Sequence, residues 1–217
     1  MPFTVDQFLK VFATYNNAVW PMQFVLGFLA LVAIFFAVKG GNRSNQFIIL
    51  ILSSFWVWIG IVYHLVYFSS INPAAYAFGA LNILQGGVFL YYGLMKSRLS
   101  FRFQLNLYGY TGAILMIYAL CIYPVLGYYF GHAYPQSPTF GLPCPTTIFT
   151  FGILLFTDKH VPIPVLIIPL IWSLIGFTAS LNFGILEDIG LLVAGLVGTS
   201  LLAIRNRAAN AELRHAA

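Results

Sequence analysis

The chain has 217 residues, of which ten are Lys or Arg and five Asp or Glu; 60% are hydrophobic and 7% charged. Soluble domains carry about 25% charged residues, and no water-soluble fold of this size conceals so much apolar surface. A soluble enzyme, a disordered tail and a disulfide scaffold are therefore excluded. The net charge of +5 comes from basic residues scattered over short loops, so nucleic acid is excluded as a partner and the lipid bilayer is the expected one.

At the start, Thr4-Val5-Asp6-Gln7 has the form of a capping box. Phe8, Val11, Phe12 and Tyr15 then follow at i, i+3, i+4 and i+7. The spacing predicts either a short amphipathic helix on the outer surface or a polar lead-in continuous with the first span. Seven apolar runs come next, each near the roughly 20 residues that a spanning helix needs. They are Val19–Val38, Gln46–Ser69, Ala74–Met95, Leu105–Tyr129, Phe140–Thr157, Val161–Ser180 and Gly184–Ile204. The fifth is the weakest, being short and starting near Pro143 and Pro145, which suit the first turn of a helix.

With seven spans, Lys39, Arg43, Lys96, Arg98, Arg102, Lys159, Arg205, Arg207 and Arg214 fall on one side and Lys10 alone on the other. The positive-inside rule makes the first group cytoplasmic and the N-terminus external. The expected class is thus all-α: an integral membrane bundle of seven transmembrane helices with a short N-terminal interfacial helix. It forms one domain over 1–217: an outer interfacial segment 1–18, the bundle 19–204, a proline-rich outer loop 131–145 and a cytoplasmic tail 205–217.

Ionisable groups are costly in hydrocarbon, so their placement is informative. No Lys, Arg or mid-membrane carboxylate lies in any span, which removes a retinal lysine, a voltage sensor and a carboxylate-driven carrier. What remains maps to the outer half. His64 lies in the second span, and Asn82 and Gln85 share one face of the third. His132 and Cys144 bracket the proline-rich loop, Thr146, Thr147 and Thr150 begin the fifth helix, and Glu187 and Asp188 open the seventh. Each also has a structural reading. His64 can be a bonded core histidine, Asn82 and Gln85 ties between helices, and Glu187 and Asp188 a helix cap. Cys144 can be a packing residue, and the threonines partners for backbone groups near the prolines. The loop is stiffened by proline, so it is expected to fold over the bundle mouth as a lid and to bring His132 and Cys144 toward His64, Glu187 and Asp188.

The segments WVWIGIVYH (Trp56–His64), INPAA (Ile71–Ala75), GHAYPQSPTFGLPCPTTIFT (Gly131–Thr150) and GILEDIGLL (Gly184–Leu192) together resemble a bacterial inner-membrane family known only as a domain of unknown function. The resemblance implies a bacterial seven-helix protein of the plasma membrane and supplies no activity. The plan is also similar to that of ceramidase-like membrane zinc hydrolases, but their His-x-x-x-His is missing from the last helix.

Two readings compete. In the first, a metal-dependent hydrolase acts on a lipid or small amphiphile at the outer leaflet. His64, His132 and Cys144 are its candidate ligands for zinc or another transition metal, and Glu187 or Asp188 serves as a further ligand or as general base. Tyr63, Asn82, Gln85, Thr146 and Thr147 would then bind the substrate. In the second, a binding protein or transporter takes up a small solute or metal ion, with His64 and Cys144 as ligands. A structural membrane subunit is a third.

Overall fold

The computed structural model describes residues 3–215, and every regular element in it is helical. Helix α1 (Val5–Ala18) starts at the expected capping box: the Gln7 amide donates to Thr4 Oγ1 at 3.2 Å, and the Thr4 amide donates to Gln7 Oε1 at 2.8 Å. Then come α2 (Met22–Lys39), α3 (Asn42–Ser70), α4 (Ala75–Met95), α5 (Leu107–Tyr129), α6 (Pro143–Leu155) and α7 (Ile163–Phe183). A 3₁₀ turn, Leu186–Asp188, leads into α8 (Ile189–His215). The expected tail is thus helical through His215, and its last two residues, like the first two of the chain, lie outside the described range.

Among the described residues six helices are long and apolar enough to cross a membrane. The expected fifth span departs from this pattern. Its helix, α6, has 13 residues, about 20 Å at 1.5 Å per residue, short of a hydrocarbon core of about 30 Å. All of it except Cys144 is buried. A helix that is apolar all round belongs in the interior, and here other helices enclose it. Gly112 on α5 and Gly152 on α6 touch so closely that a Cβ on either would lie 2.6 Å or 2.8 Å from the other's carbonyl oxygen. Phe151 packs on Gly198 of α8, and Trp56 of α3 donates to Thr150 Oγ1 at 3.1 Å.

The basic loops meet at one end of the bundle and are tied by hydrogen bonds. Phe103 N–H reaches the Ala37 carbonyl, Phe101 N–H reaches Asn45 Oδ1, and Arg102 N–H reaches the Phe156 carbonyl. Asn206 clamps the Val161 backbone, accepting its N–H at 3.1 Å and donating to its carbonyl at 2.8 Å, while the Arg205 guanidinium donates to Thr157. The 131–142 loop and α1 gather at the opposite end.

Backbone irregularities are placed with purpose. Residues Ile59–Tyr67 in α3, Leu90–Met95 in α4 and Tyr118–Ile122 in α5 are wound as π-helix, a widening that changes the direction in which later side chains face. Tyr63 and His64 lie in the first of these. Pro169 interrupts α7 and deprives the Val165 carbonyl of its usual donor four residues on. Gln85 Nε2 of α4 donates to that carbonyl at 3.0 Å.

Candidate functional site: an aromatic cavity beneath the N-terminal helix

The amphipathic face of α1 does not lie open. Phe8, Val11, Phe12 and Tyr15 are buried against the bundle with Phe68, Leu142, Phe183 and Ile185. Phe8 stacks on Phe183 at 4.7 Å between ring centres, and Tyr15 meets Tyr63 edge-on at 5.7 Å. Tyr15 donates to the Gly141 carbonyl and accepts from Trp58 Nε1 at 2.8 Å. Burial raises its phenol to about 12, against a smaller opposing effect of the Trp58 hydrogen bond, so it stays a neutral donor. Asn16, fully buried, donates to the Pro135 and Ser137 carbonyls at 2.7 and 2.8 Å and accepts from Thr139 Oγ1 at 2.7 Å. One side chain thereby pins the proline-rich loop to α1.

Helix and loop together roof a cavity of about 350 Å³. Phe8 and Phe12 hang from α1 and Phe3 from just before it, and Pro138, Leu142 and Pro143 come from the loop and the start of α6. Below them lie Tyr63, His64, Phe78, Tyr123, Trp172 and Asp188. Of its lining residues, Ala74 just before α4 and Thr178 near the end of α7 are exposed.

His64 is the centre of this floor. It is fully buried and boxed by Tyr63, Phe68, Phe78 and Trp172 at 5.0–5.9 Å between ring centres. Among the described residues neither ring nitrogen has a hydrogen-bond partner, and the indole nitrogen of Trp172 beside it has no oxygen or nitrogen partner, only the Cys144 sulfur nearby. A buried polar atom without a partner costs about 1–3 kcal/mol, and these three belong to residues that line one apolar chamber.

Glu187 and Asp188 are adjacent in sequence but face different ways. Asp188 turns into the cavity, where Tyr123 donates to its Oδ1 at 2.5 Å. Glu187 turns the other way and meets His132 Nδ1 at 3.2 Å, and Tyr118 donates to its backbone carbonyl at 2.7 Å. Cys144 lines the cavity: its sulfur and the Trp172 indole nitrogen would lie 3.5 and 3.7 Å from a Cβ on Gly176.

Of the residues singled out in the sequence, Tyr63, His64, Cys144 and Asp188 line one chamber. His132 stands outside it, held by Glu187. Asn82 donates to the Phe78 carbonyl one turn back, and Gln85 serves the Pro169 gap, so both act within and between helices. Thr146 accepts from the Gly141 amide and buried Thr147 has no side-chain partner; neither borders the cavity. Of the expected convergence, Cys144 joins His64 and Asp188 in the chamber and His132 meets Glu187, while His132 does not line the chamber with His64. Among the described residues no three His, Cys, Asp or Glu side chains stand close enough to share a metal ion. Nothing in the sequence marks Trp172 or Tyr123 as site residues among the many aromatics of the spans.

No curated protein and no solved structure matches the chain. A family profile matches residues 5–213, and this multi-pass membrane protein belongs to the family of unknown function DUF6064.

Proposed function

We propose that this protein binds a small amphiphile in the aromatic cavity beneath α1 and does so without catalysis. The observation that carries the reading is His64, fully buried on the cavity floor with both ring nitrogens unpartnered. A site that converges a few polar atoms in an apolar chamber is built to orient a ligand. A volume of about 350 Å³ is near the lower end of ligand pockets, about 300–1,000 Å³, so it suits a head group with a short chain rather than a whole phospholipid. In this reading the rest of the molecule leaves past the exposed lining residues Ala74 and Thr178. Hydrolysis would call for His64 bonded to a nucleophile or an orienting carboxylate, or for three converging metal ligands. The described residues supply neither arrangement around it.

In the same reading the chain crosses a bacterial plasma membrane seven times, N-terminus outside, with α6 as the shielded crossing and α1 and the cavity at the outer face. The support is that α6 runs from the Tyr15–Gly141 contact to the Arg102–Phe156 contact, and that the basic loops share an end.

The test uses protein in lipid nanodiscs and the fluorescent apolar amine aminoanthracene. Saturable binding of one probe per chain above empty discs, abolished by Thr178→Trp in the lining, is expected. A signal equal to that of empty discs would refute the reading.

A further inference from the structure

Among the described residues Asp188 is the only carboxylate bordering the chamber, and no Lys or Arg borders it. The residue is 2% exposed. Tyr123 donates its hydroxyl to Oδ1 at 2.5 Å, which brings a dipole to the carboxylate but no charge. His64 on the same lining does not pair with it, since neither ring nitrogen has a hydrogen-bond partner. The neighbouring acid, Glu187, meets His132 outside the chamber. An ionised carboxylate buried in apolar surroundings is costly unless it is paired, and the described residues bring no cation to this one.

The walls are a second, independent feature. Six Phe, two Tyr and Trp172 border the same chamber. Their rings touch one another: Phe8 lies 4.6 Å from Phe12 and 4.7 Å from Phe183 between ring centres, and Phe78 lies 5.4 Å from Trp172. The face of an aromatic ring is electron-rich, so such walls attract a cation where they would repel an anion.

We infer that this cavity selects an amphiphile with a quaternary ammonium head, held between the Asp188 carboxylate and the aromatic rings; the inference rests on the binding reading above. The methyl groups of such a head pack on carbon surfaces and need no hydrogen-bond acceptor. A primary ammonium would have to place three N–H donors among walls that are mostly hydrocarbon. An anionic head would bury a second negative charge beside Asp188, and a neutral head would leave that carboxylate unpaired. A metal ion calls for several nitrogen, oxygen or sulfur ligands, and among the described residues no three His, Cys, Asp or Glu side chains come together.

The experiment is displacement of aminoanthracene from the protein in nanodiscs of an uncharged galactolipid, near neutral pH. The competitors share a ten-carbon chain: decyltrimethylammonium, decylammonium, decanol and decanoate. After correction with empty discs, decyltrimethylammonium is expected to displace the probe at concentrations about tenfold lower than decanol, the size of one desolvated cation–aromatic contact. Decylammonium should be weaker than the quaternary head, and decanoate the weakest of the four. In Asp188→Asn, which keeps the shape and still binds the probe, the lead over decanol is expected to shrink to within about threefold. Displacement by decanol, decanoate or decylammonium at concentrations equal to or below those of the quaternary head would overturn the assignment. So would a lead that persists unchanged in Asp188→Asn. If that variant fails to fold, the ranking in the unaltered protein decides alone. Absence of any probe binding would instead overturn the binding reading, and the head-group assignment with it.

Discussion

The bond from Gln85 to α7 offers a sharp energetic test. Pro169 has no N–H, so the Val165 carbonyl would be a buried acceptor without a donor were it not for Gln85 Nε2 at 3.0 Å. Gln85→Leu strips that donor. Orphaning a buried carbonyl costs about 1–3 kcal/mol, and interhelical hydrogen bonds in membranes average about 0.6 with a maximum near 1.7, so a loss of about 1–2 kcal/mol is expected. Pro169→Ala restores a backbone donor four residues beyond Val165. In that background Gln85→Leu should cost close to nothing, all the more because Gln85 Oε1 has no partner to lose. The assay is a double-mutant cycle by reversible detergent unfolding, with an expected coupling of about 1–2 kcal/mol. Equal losses in the two backgrounds, agreeing within about 0.5 kcal/mol, would refute the claim that Gln85 exists to mend the proline gap.

Other consequences are equally concrete. Gly112→Ala places a methyl 2.6 Å from the Gly152 carbonyl oxygen, whereas Gly87→Ala meets nothing within 4 Å. The first should destabilise by about 1–3 kcal/mol and the second should be neutral or stabilise by up to about 1 kcal/mol; melting temperatures moving together would contradict this. Asn16→Leu removes the donor to the Pro135 and Ser137 carbonyls, so amide exchange across residues 131–142 should accelerate while α7 and α8 are unchanged. Unaltered loop exchange would show that Asn16 does not hold it. In a chain with Cys121 and Cys144 replaced, Lys10→Cys should react with a membrane-impermeant maleimide from outside and Lys159→Cys only after permeabilisation. Labelling of both from one side would contradict seven crossings.

Some of this architecture was legible from residue order, and the limits have physical causes. The period of Phe8, Val11, Phe12 and Tyr15 announces an amphipathic α1, but an apolar stripe reads alike whether it faces lipid or protein, so its burial on the cavity was not visible. Pro143 marks the start of α6, yet a run apolar on every side does not reveal that its helix stops at Leu155. His64 stood out because a polar ring inside a span needs a reason. Trp172 does not declare a role in the same way, because what its N–H meets depends on the packing that sets the indole beside Gly176 and Cys144. Pro169 signals an unmet carbonyl at Val165, but which helix supplies the donor depends on packing, and so Gln85 read as a site residue. Glu187 and Asp188 look like a pair in the sequence, and helical geometry sends one to His132 and the other into the chamber.

The central claim is that the chamber above His64 and Trp172 holds a small amphiphile, and it is tested most directly by locating one. A structure determined with a short-chain brominated amphiphile should show the bromine by anomalous scattering inside the chamber lined by Ala74, His64, Trp172 and Thr178. Bromine found only along the outer, lipid-facing surfaces of the helices, with the chamber holding nothing but solvent, would contradict it.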